Sequence, residues 1–520
     1  MFLPCDREMF TLLVLSCLLG TALSANILAV FPHTGQSHFD VFQPLVLTLA
    51  SRGHQVTVLS FYPQKTPVAN YTDLSLVGVA PMFVNALKFE HLVGINPLTD
   101  FMAITNMGWE TCEDILRSEA VQNLLRTPKK FDLLIVEMFN TDCFLGLVDK
   151  FDAPFVGISS SAFFPTHYSR VGSFDHPAYF PNLFFPFSSR MSLLERTVNA
   201  VCTVLMRLAR IHYYARREQR VVAEVLQKEV LLQDIGHSVS LVLVNSHHSL
   251  QGARPLVPGF VEIGGLHIHP AKPLDRDLDK YLNESAEGAI LFSMGSVLQS
   301  SSFPPAKRQA IMDAFAELPV RVLMKWEDDT LPGKPDNVRL SKWLPQRDIL
   351  VHPKILAFMA HGGLLSTSEA VYCGVPMVLI PMFGDQPNNV AHLTATGAAV
   401  KLAYDDITKE AVLSALRAVL YDPRYRENAK LLSERFRDRP MSPLDTAVYW
   451  TEYVLRHKGA RHLRSAAVDM PWYQLWLLDV VLVLLAGLSA LLLVVIWLTR
   501  RVTSLIVRRL YSQQPRQKTD

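Results

Sequence analysis

Cysteine is scarce and scattered in this chain. Of six, Cys5 and Cys17 lie in the extreme N-terminus, and Cys112, Cys143, Cys202 and Cys373 stand far apart. No C-x-x-C pair is present, which excludes a zinc finger, a zinc ribbon or a cysteine-held cluster. A disulfide could form among the four, but spacing does not assign one, and no metal site is expected. An excess of one charge sign is lacking too: Lys and Arg number 50 against 48 Asp and Glu, a net charge of +2. That removes the electrostatic case for a nucleic-acid partner. Charged residues make up only 19% of the chain, against 49% hydrophobic ones. So little charge is unusual for a soluble enzyme and points to a membrane segment.

Two apolar runs supply it. Residues 9–20 (MFTLLVLSCLLG) have signal-peptide length and precede small residues suited to cleavage, although the flank before them lacks net positive charge. A signal peptide over residues 1–24 is expected. Residues 480–498 (VVLVLLAGLSALLLVVIWL) carry no charge. At ~1.5 Å rise each they reach ~28 Å, enough for a bilayer core. Trp472, Tyr473 and Trp476 precede them as interfacial aromatics, and the tail over 499–520 holds six basic residues and one acidic one. The positive-inside rule makes that tail cytoplasmic and the rest luminal or extracellular, a type I single-pass topology. Asn70 and Asn283 open N-x-S/T sequons that this topology could use.

At 520 residues the remainder is too long for one ordinary domain. NILAVFP, a polar loop (HTGQSHF), an apolar-periodic helix over 40–52 and the strand QVTVLSF open an α/β doubly wound sheet, continued by FDLLIVE and APFVGIS. A helix is expected to begin near Thr141 and Asp142. Residues 193–232 are helical, apolar and basic by turns; they could lie near a membrane, with packing on the sheet domain the plainer reading. A second alternation runs through AILFSMGS, VRVLMKW, ILAFMA and PMVLIPM. The expected boundaries are 25–266, a Pro- and charge-rich linker over 267–288, and 289–460.

The run over 343–389 concentrates the chemistry. ILAFMA stops at His361, Gly362 and Gly363, where a backbone free of Cβ atoms can turn against a ligand. The helix from Leu364 offers free N–H groups and a positive dipole end to a phosphate. His361 and Ser366 can add donors, and Glu369 could accept ribose hydroxyls. Trp343 has a face for a base, Gln346 could read base or ribose, and Asp385 and Gln386 suit sugar hydroxyls. Singly each residue has a bland reading; jointly they describe a nucleotide-sugar site.

The same run resembles the signature of the UDP-glycosyltransferases of eukaryotic secondary metabolism: W-x-P-Q, H-x-G, S-x-x-E, a proline strand and a closing D-Q. The resemblance spans essentially the whole chain, and NSHHSLQGARP and FGDQPNN look most like the arthropod branch. It implies two Rossmann-like domains facing across a cleft, the GT-B arrangement, with a UDP-sugar donor and no metal or other cofactor. One departure is clear: Leu364 and Leu365 replace the Trp-Asn or Ala-Asn of plant and vertebrate relatives, so an asparagine contact to the donor is missing.

By the same resemblance His38 is the general base, supported by a carboxylate. Register with vertebrate relatives points to Glu137; residue type favours Asp142, which could equally be a helix N-cap. A base is needed because an alcohol or phenol is a weak nucleophile until deprotonated. The resemblance further implies inversion at the anomeric carbon, with Ser296 and Arg254 helping His361 and the helix end to receive the diphosphate. The acceptor should be a small lipophilic molecule with a hydroxyl. Glucose is the expected sugar, with glucuronic acid the alternative, and a non-catalytic lipophilic-ligand binder is the rival from another class. Lys518 fits half of a dilysine retrieval signal, with Arg516 in place of the other lysine. The expected location is the endoplasmic reticulum membrane, with plasma membrane as the alternative. A homo-oligomer stays open.

Overall fold

A computed structural model of the chain describes residues 24–512. The signal-peptide core and the Arg516–Lys518 retrieval feature lie outside the described residues. The chain forms two compact units, one ending at Ser465 and one starting at Ala466.

The first unit contains two parallel sheets. Strands β1 (Asn26–Phe31), β2 (Gln55–Ser60), β3 (Tyr71–Ser75), β4 (Leu133–Glu137), β5 (Phe155–Ser159), β6 (Leu241–Val244) and β7 (Phe260–Glu262) form the first, in the order β3-β2-β1-β4-β5-β6-β7. Strands β8 (Ala289–Ser293), β9 (Arg321–Lys325), β10 (Val338–Ser341), β11 (Ile355–Ala360), β12 (Met377–Leu379) and β13 (Ala399–Lys401) form the second, in the order β10-β9-β8-β11-β12-β13. Five of the central strands are buried along nearly their whole length. Helices cover both faces, so an unbroken Val/Leu/Ile run is favoured over alternation. Each such side chain contributes roughly 1.5–3 kcal/mol when fully buried. In both sheets the order reverses beside the first strand of the alternation, between β1 and β4 and between β8 and β11. Crevices open at such points.

The helices that matter for the site are α1 (Gln36–Ser51), α2 (Pro97–Arg117), α3 (Leu145–Phe151), α4 (Leu193–Ala209), α5 (Ala215–Leu226), α6 (Arg276–Asn283), α7 (Gln346–Leu350), α8 (Leu364–Cys373), α9 (Gln386–Ala395) and α10 (Pro443–Arg456). Three differ from expectation. Helix α1 begins at Gln36 rather than near Asp40, with Gly35 in extended conformation as its N-cap. The polar residues read as loop are its first turn, so His38 sits on a helix. After β4 the next helix starts at Leu145, because Thr141 Oγ1 accepts from the Cys143 N–H and holds a turn there. The expected linker carries α6, whose Leu278 and Leu282 join the core of the second sheet, so that domain's packing starts before residue 289.

Two further segments cross between the sheets. Ala447 and Val448 of α10 and Val454 about two turns later pack with Phe42 and Val46 of α1, returning the chain's last domain helix to the first sheet. Conversely, residues 83–92 leave the first sheet and join the second. The Asn85 N–H donates to Ser296 O (2.8 Å), the Leu87 N–H to Val297 O (3.1 Å), and the Gln299 N–H returns to Leu87 O (2.9 Å). Phe89 is fully buried in the second core, its ring 3.8 Å from that of Phe303.

Cys112 of α2 and Cys143 form a disulfide across 31 positions, while Cys202 and Cys373 are free. Asn70 and Asn283 are both exposed. The unit from Ala466 holds α11 (Leu478–Ser512), a single helix longer than the expected span and apolar enough to cross a bilayer.

Candidate active site

One cavity joins the carboxyl ends of both sheets. The first domain lines it with His33, His38, Phe139, Ser160, Phe164 and Phe184; the second contributes Ser296, His361, Gly363, Ser366, Asp385 and Gln386.

The strand order assembles the first half. Phe31 ends β1 beside β4, where Val30 pairs with Val136, so the loop after β1 meets Glu137 at the end of β4. His38 Nδ1 lies 2.6 Å from Glu137 Oε1, and Ser160 Oγ is 2.8 Å from the same nitrogen. With Nδ1 engaged, Nε2 is the nitrogen left for a ligand. Burial lowers the His38 imidazole to about 3 and raises the Glu137 carboxyl to about 7. Both shifts come from withdrawal of water. The physical content is a histidine kept neutral, and so able to take a proton, beside a carboxyl that ionises near neutrality.

Asp142 is not part of this pair. Its carboxylate receives both Nη1 and Nη2 of Arg170 (2.8 and 2.6 Å) and Nη2 of Arg210 (2.8 Å), and Arg210 is also bound by Glu218. Burial alone would raise the Asp142 carboxyl, but the guanidiniums of Arg170 and Arg210 outweigh it and hold it well below the usual carboxylate range. The sequence reading favoured Asp142 by residue type; the loop after β4 instead turns it away, into a buried ion cluster with Arg170, Arg210 just past α4, and Glu218 of α5.

The half expected to hold the donor is built on the end of β11 and the start of α8. Gly363 is the N-cap of α8, so the first N–H groups of that helix face the cavity. His361 packs between two glycines: a Cβ on Gly295 would come within 2.6 Å of its ring, and one on Gly363 closer still. Burial, assisted by Lys325, lowers the His361 imidazole to about 4. Gln346 Nε2 bridges Ser366 Oγ (3.1 Å) and Glu369 Oε2 (2.6 Å), joining three expected residues in one chain of contacts. Burial raises Glu369 to about 7 and Asp385 to about 6. Asn389 Nδ2 holds Asp385 (2.8 Å), and Gln386 Oε1 accepts from the Met382 N–H (2.9 Å), leaving its amide group to the cavity.

Trp343, Gln346 and Glu369 do not line the central cavity; Trp343 is 60% exposed at the outer edge of the second domain. Arg254 lies apart as well. It donates to the Tyr168 hydroxyl (3.2 Å), covers the Phe180 ring at 4.2 Å, and lines a smaller neighbouring pocket with Asn388.

Three contributors escaped the sequence reading. His33 stacks on His38 at 3.7 Å and 12°, and its Nδ1 accepts from the Gly35 N–H. Ser160 follows β5. Asp100 of α2 accepts from the Gly384 N–H, so the first domain grips the loop that presents Asp385. A histidine five residues before His38 was the one signal available; the other two depend on contacts between remote elements.

The family model described as UDP-glucoronosyl and UDP-glucosyl transferase matches residues 22–517. A UDP-glycosyltransferase (UGT5) and a UDP-glucosyltransferase, both from Dactylopius coccus, are 41% and 40% identical, covering 94% and 92% of this chain and 94% of each relative. UDP-glucuronosyltransferase 2B30 of Macaca fascicularis is 32% identical over 93% of this chain and 94% of its own. Among solved structures, the calicheamicin glycosyltransferase CalG4 superposes with a TM-score of 0.56 at 19% identity, over 84% of this chain and 99% of that one. The kitacinnamycin glycosyltransferase does so with 0.57 at 18%, over 83% and 98%. These structural likenesses establish the GT-B fold. The sequence matches span both sheets and the cavity between them, and the chain belongs to the UDP-glucuronosyl and UDP-glucosyl transferase family, as a UDP-glycosyltransferase.

Proposed function

We propose that the chain transfers glucose from UDP-glucose, with inversion, to the hydroxyl of a small lipophilic acceptor. The observation that carries the reading is the neutral His38, braced by Glu137, facing His361 and the N-terminus of α8 across one cavity. The acceptor O–H gives its proton to His38 Nε2 as its oxygen attacks the anomeric carbon. Glu137 compensates the imidazolium that forms. The bond to UDP breaks on the opposite side, and the diphosphate charge is met by the α8 N–H groups, Ser296, Ser366 and His361. Asp385 and Gln386 hold sugar hydroxyls, and Glu369 and Gln346 the ribose, with Trp343 offering a face to the base. No metal has a role in this scheme, so chelation should leave the rate unchanged.

Two observations favour glucose over glucuronic acid. Among the described residues no lysine or arginine lines the central cavity, so a sugar carboxylate would meet Asp385 without a cation from them. Of the relatives compared, the one named a glucosyltransferase is 40% identical and the glucuronosyltransferase 32%. Phe139, Phe164 and Phe184 give the acceptor side an apolar wall, as a phenolic or steroid substrate requires. Membranes holding the chain, given several UDP-sugars and a panel of phenols and steroids, should use UDP-glucose fastest. Faster use of UDP-glucuronic acid overturns the donor reading; undiminished transfer by His38→Ala overturns the base. Residence in the endoplasmic reticulum predicts glycans at Asn70 and Asn283 that remain sensitive to an endoglycosidase specific for high-mannose chains.

A further inference from the structure

The base His38 stands in a pair. His33, at the turn that leaves β1, lays its ring on that of His38 at 3.7 Å and 12°. Phe139 closes edge-on against both, 5.4 Å from the His33 ring and 4.7 Å from that of His38. Gly35 seats the stack, since a Cβ there would come within 2.8 Å of the His33 imidazole. The hydrogen bonds then give the two rings opposite polarity. The ionised Glu137 carboxylate can only accept, so at 2.6 Å it assigns the His38 proton to Nδ1 and leaves a lone pair on Nε2. His33 is the reverse. Its Nδ1 accepts from the Gly35 N–H (2.9 Å), which assigns the proton of the neutral ring to Nε2. Burial first, and then the neighbouring His38, lowers the His33 imidazole to about 3, so that ring stays neutral. Among the described residues nothing accepts from the His33 Nε2–H, and both histidines line the central cavity.

We propose that His33 is a specificity residue for the acceptor, selecting a phenol that bears a second oxygen on the adjacent ring carbon, as a catechol or an ortho-methoxyphenol does. The reacting hydroxyl donates to His38 Nε2, and the neighbouring oxygen accepts from His33 Nε2–H. Two oxygens on adjacent ring carbons stand about one hydrogen-bond length apart, ~2.8 Å. That separation lets one flat molecule meet both edges of rings stacked at 3.7 Å. An oxygen one carbon further round the ring points away from the second edge. Phe164 and Phe184 line the same cavity and supply apolar surface for the ring. The transfer itself is unchanged: the reacting oxygen bonds to the anomeric carbon as UDP leaves, its proton passes to His38, and His33 keeps its own. A phenol lacking the second oxygen leaves the His33 N–H unpaired in a site from which the ligand has expelled water, and binds more weakly for it. This reading rests on the acceptor hydroxyl being activated by His38, as given above.

The test compares ortho-methoxyphenol with its meta isomer, which has the same atoms and nearly the same lipophilicity. Affinity for each is measured by calorimetry on the detergent-solubilised full chain with UDP bound. The native chain should bind the ortho isomer ~5- to 10-fold more tightly, the weight of one neutral hydrogen bond. His33→Phe keeps a flat ring for the stack but has no N–H, and the ratio should fall to about one. His33→Gln, which restores an N–H donor, should recover part of it. A native ratio near one overturns the proposal. So does a ratio that survives in His33→Phe, or an equal loss of both isomers in His33→Phe and His33→Gln, since His33 then serves only to hold His38. Affinity for UDP, measured alone, reports whether each variant is folded; if His33→Phe is not, the native ratio and His33→Gln decide. Binding with UDP does not depend on which sugar is moved, so failure of the glucose reading leaves the ratio standing. Undiminished transfer by His38→Ala strikes the reading on which the proposal rests.

Discussion

At the scale of single residues, Glu137 and Asp142 lie five positions apart and have opposite kinds of work. Glu137 faces His38, and its loss is a loss of chemistry. Glu137→Gln should lower kcat by about 10²-fold or more, the usual weight of general-base support, and leave thermal stability nearly unchanged. The pH profile carries the signature. Burial raises the Glu137 carboxyl to about 7, so lowering the pH through that value protonates it and removes the anion that compensates the imidazolium. The rate should therefore fall on the acid side of neutrality in the native chain, and that limb should vanish in Glu137→Gln. Asp142→Asn should do the opposite. It leaves Arg170 and Arg210 incompletely neutralised inside the protein, a defect worth roughly 3–5 kcal/mol. The melting temperature should drop, and whatever folds should keep the native pH profile. A flattened profile in Asp142→Asn would assign the wrong carboxylate to His38.

Among elements, the strap over 83–92 decides how the two half-sites meet. Its first residue reaches back, the Phe83 N–H donating to Thr34 O in the loop that leads to His38. Its middle bonds to the loop that presents Ser296, and its end is plugged into the second core by Phe89. The hydrogen bonds contribute about 1 kcal/mol each, while removing a buried phenylalanine costs roughly 3–5 kcal/mol, so Phe89 is the anchor. Phe89→Ala should destabilise the second domain by that amount and raise KM for UDP-glucose, measured by calorimetry and steady-state kinetics. The disulfide acts on the other side of the cavity, tying α2 to the turn behind Glu137. Closing a loop of 31 positions is worth about 3–4 kcal/mol. Cys112→Ser, Cys143→Ser should show a loss of that order in denaturant titrations, or less if the reduced chain keeps structure. Gly295→Ala tests the donor loop: with φ of +82° and the His361 ring against it, the new Cβ should displace His361 and weaken UDP binding in calorimetric titration.

For the whole molecule, the arrangement follows from two sheets that reverse their strand order beside their first strands. Each reversal opens a crevice, and the strap and α10, running in opposite directions, keep the crevices facing. Much of this was legible in the sequence. The long apolar strands could be read because burial on both faces leaves an unbroken hydrophobic run. Short edge strands such as β3 and β13, half-exposed and mixed in composition, carry no such mark. The start of α1 was misplaced because Gln36 and Ser37 are polar, and polarity does not separate a loop from a first helical turn. The apolar spacing along α4 could be read, but not that Val201, Val204, Leu205 and Leu208 face outward.

The sequence by itself determined the donor cradle. Apart from Ser296, which comes from the loop after β8, its proposed parts lie within one continuous run, where β11, the His361–Gly363 turn and α8 are neighbours along the chain and local rules suffice. It also determined the terminal span, which depends on length and hydropathy alone. Only the tertiary structure decided which carboxylate stands against His38, since strand order, by pairing β1 with β4, brings His38 and Glu137 together over 99 positions, and a side chain's identity carries no topology. The same holds for Phe89, a first-domain residue in a second-domain core, and for the outward face of α4. In each case the deciding contact joins remote segments, and its energy exists only once the chain has closed on itself.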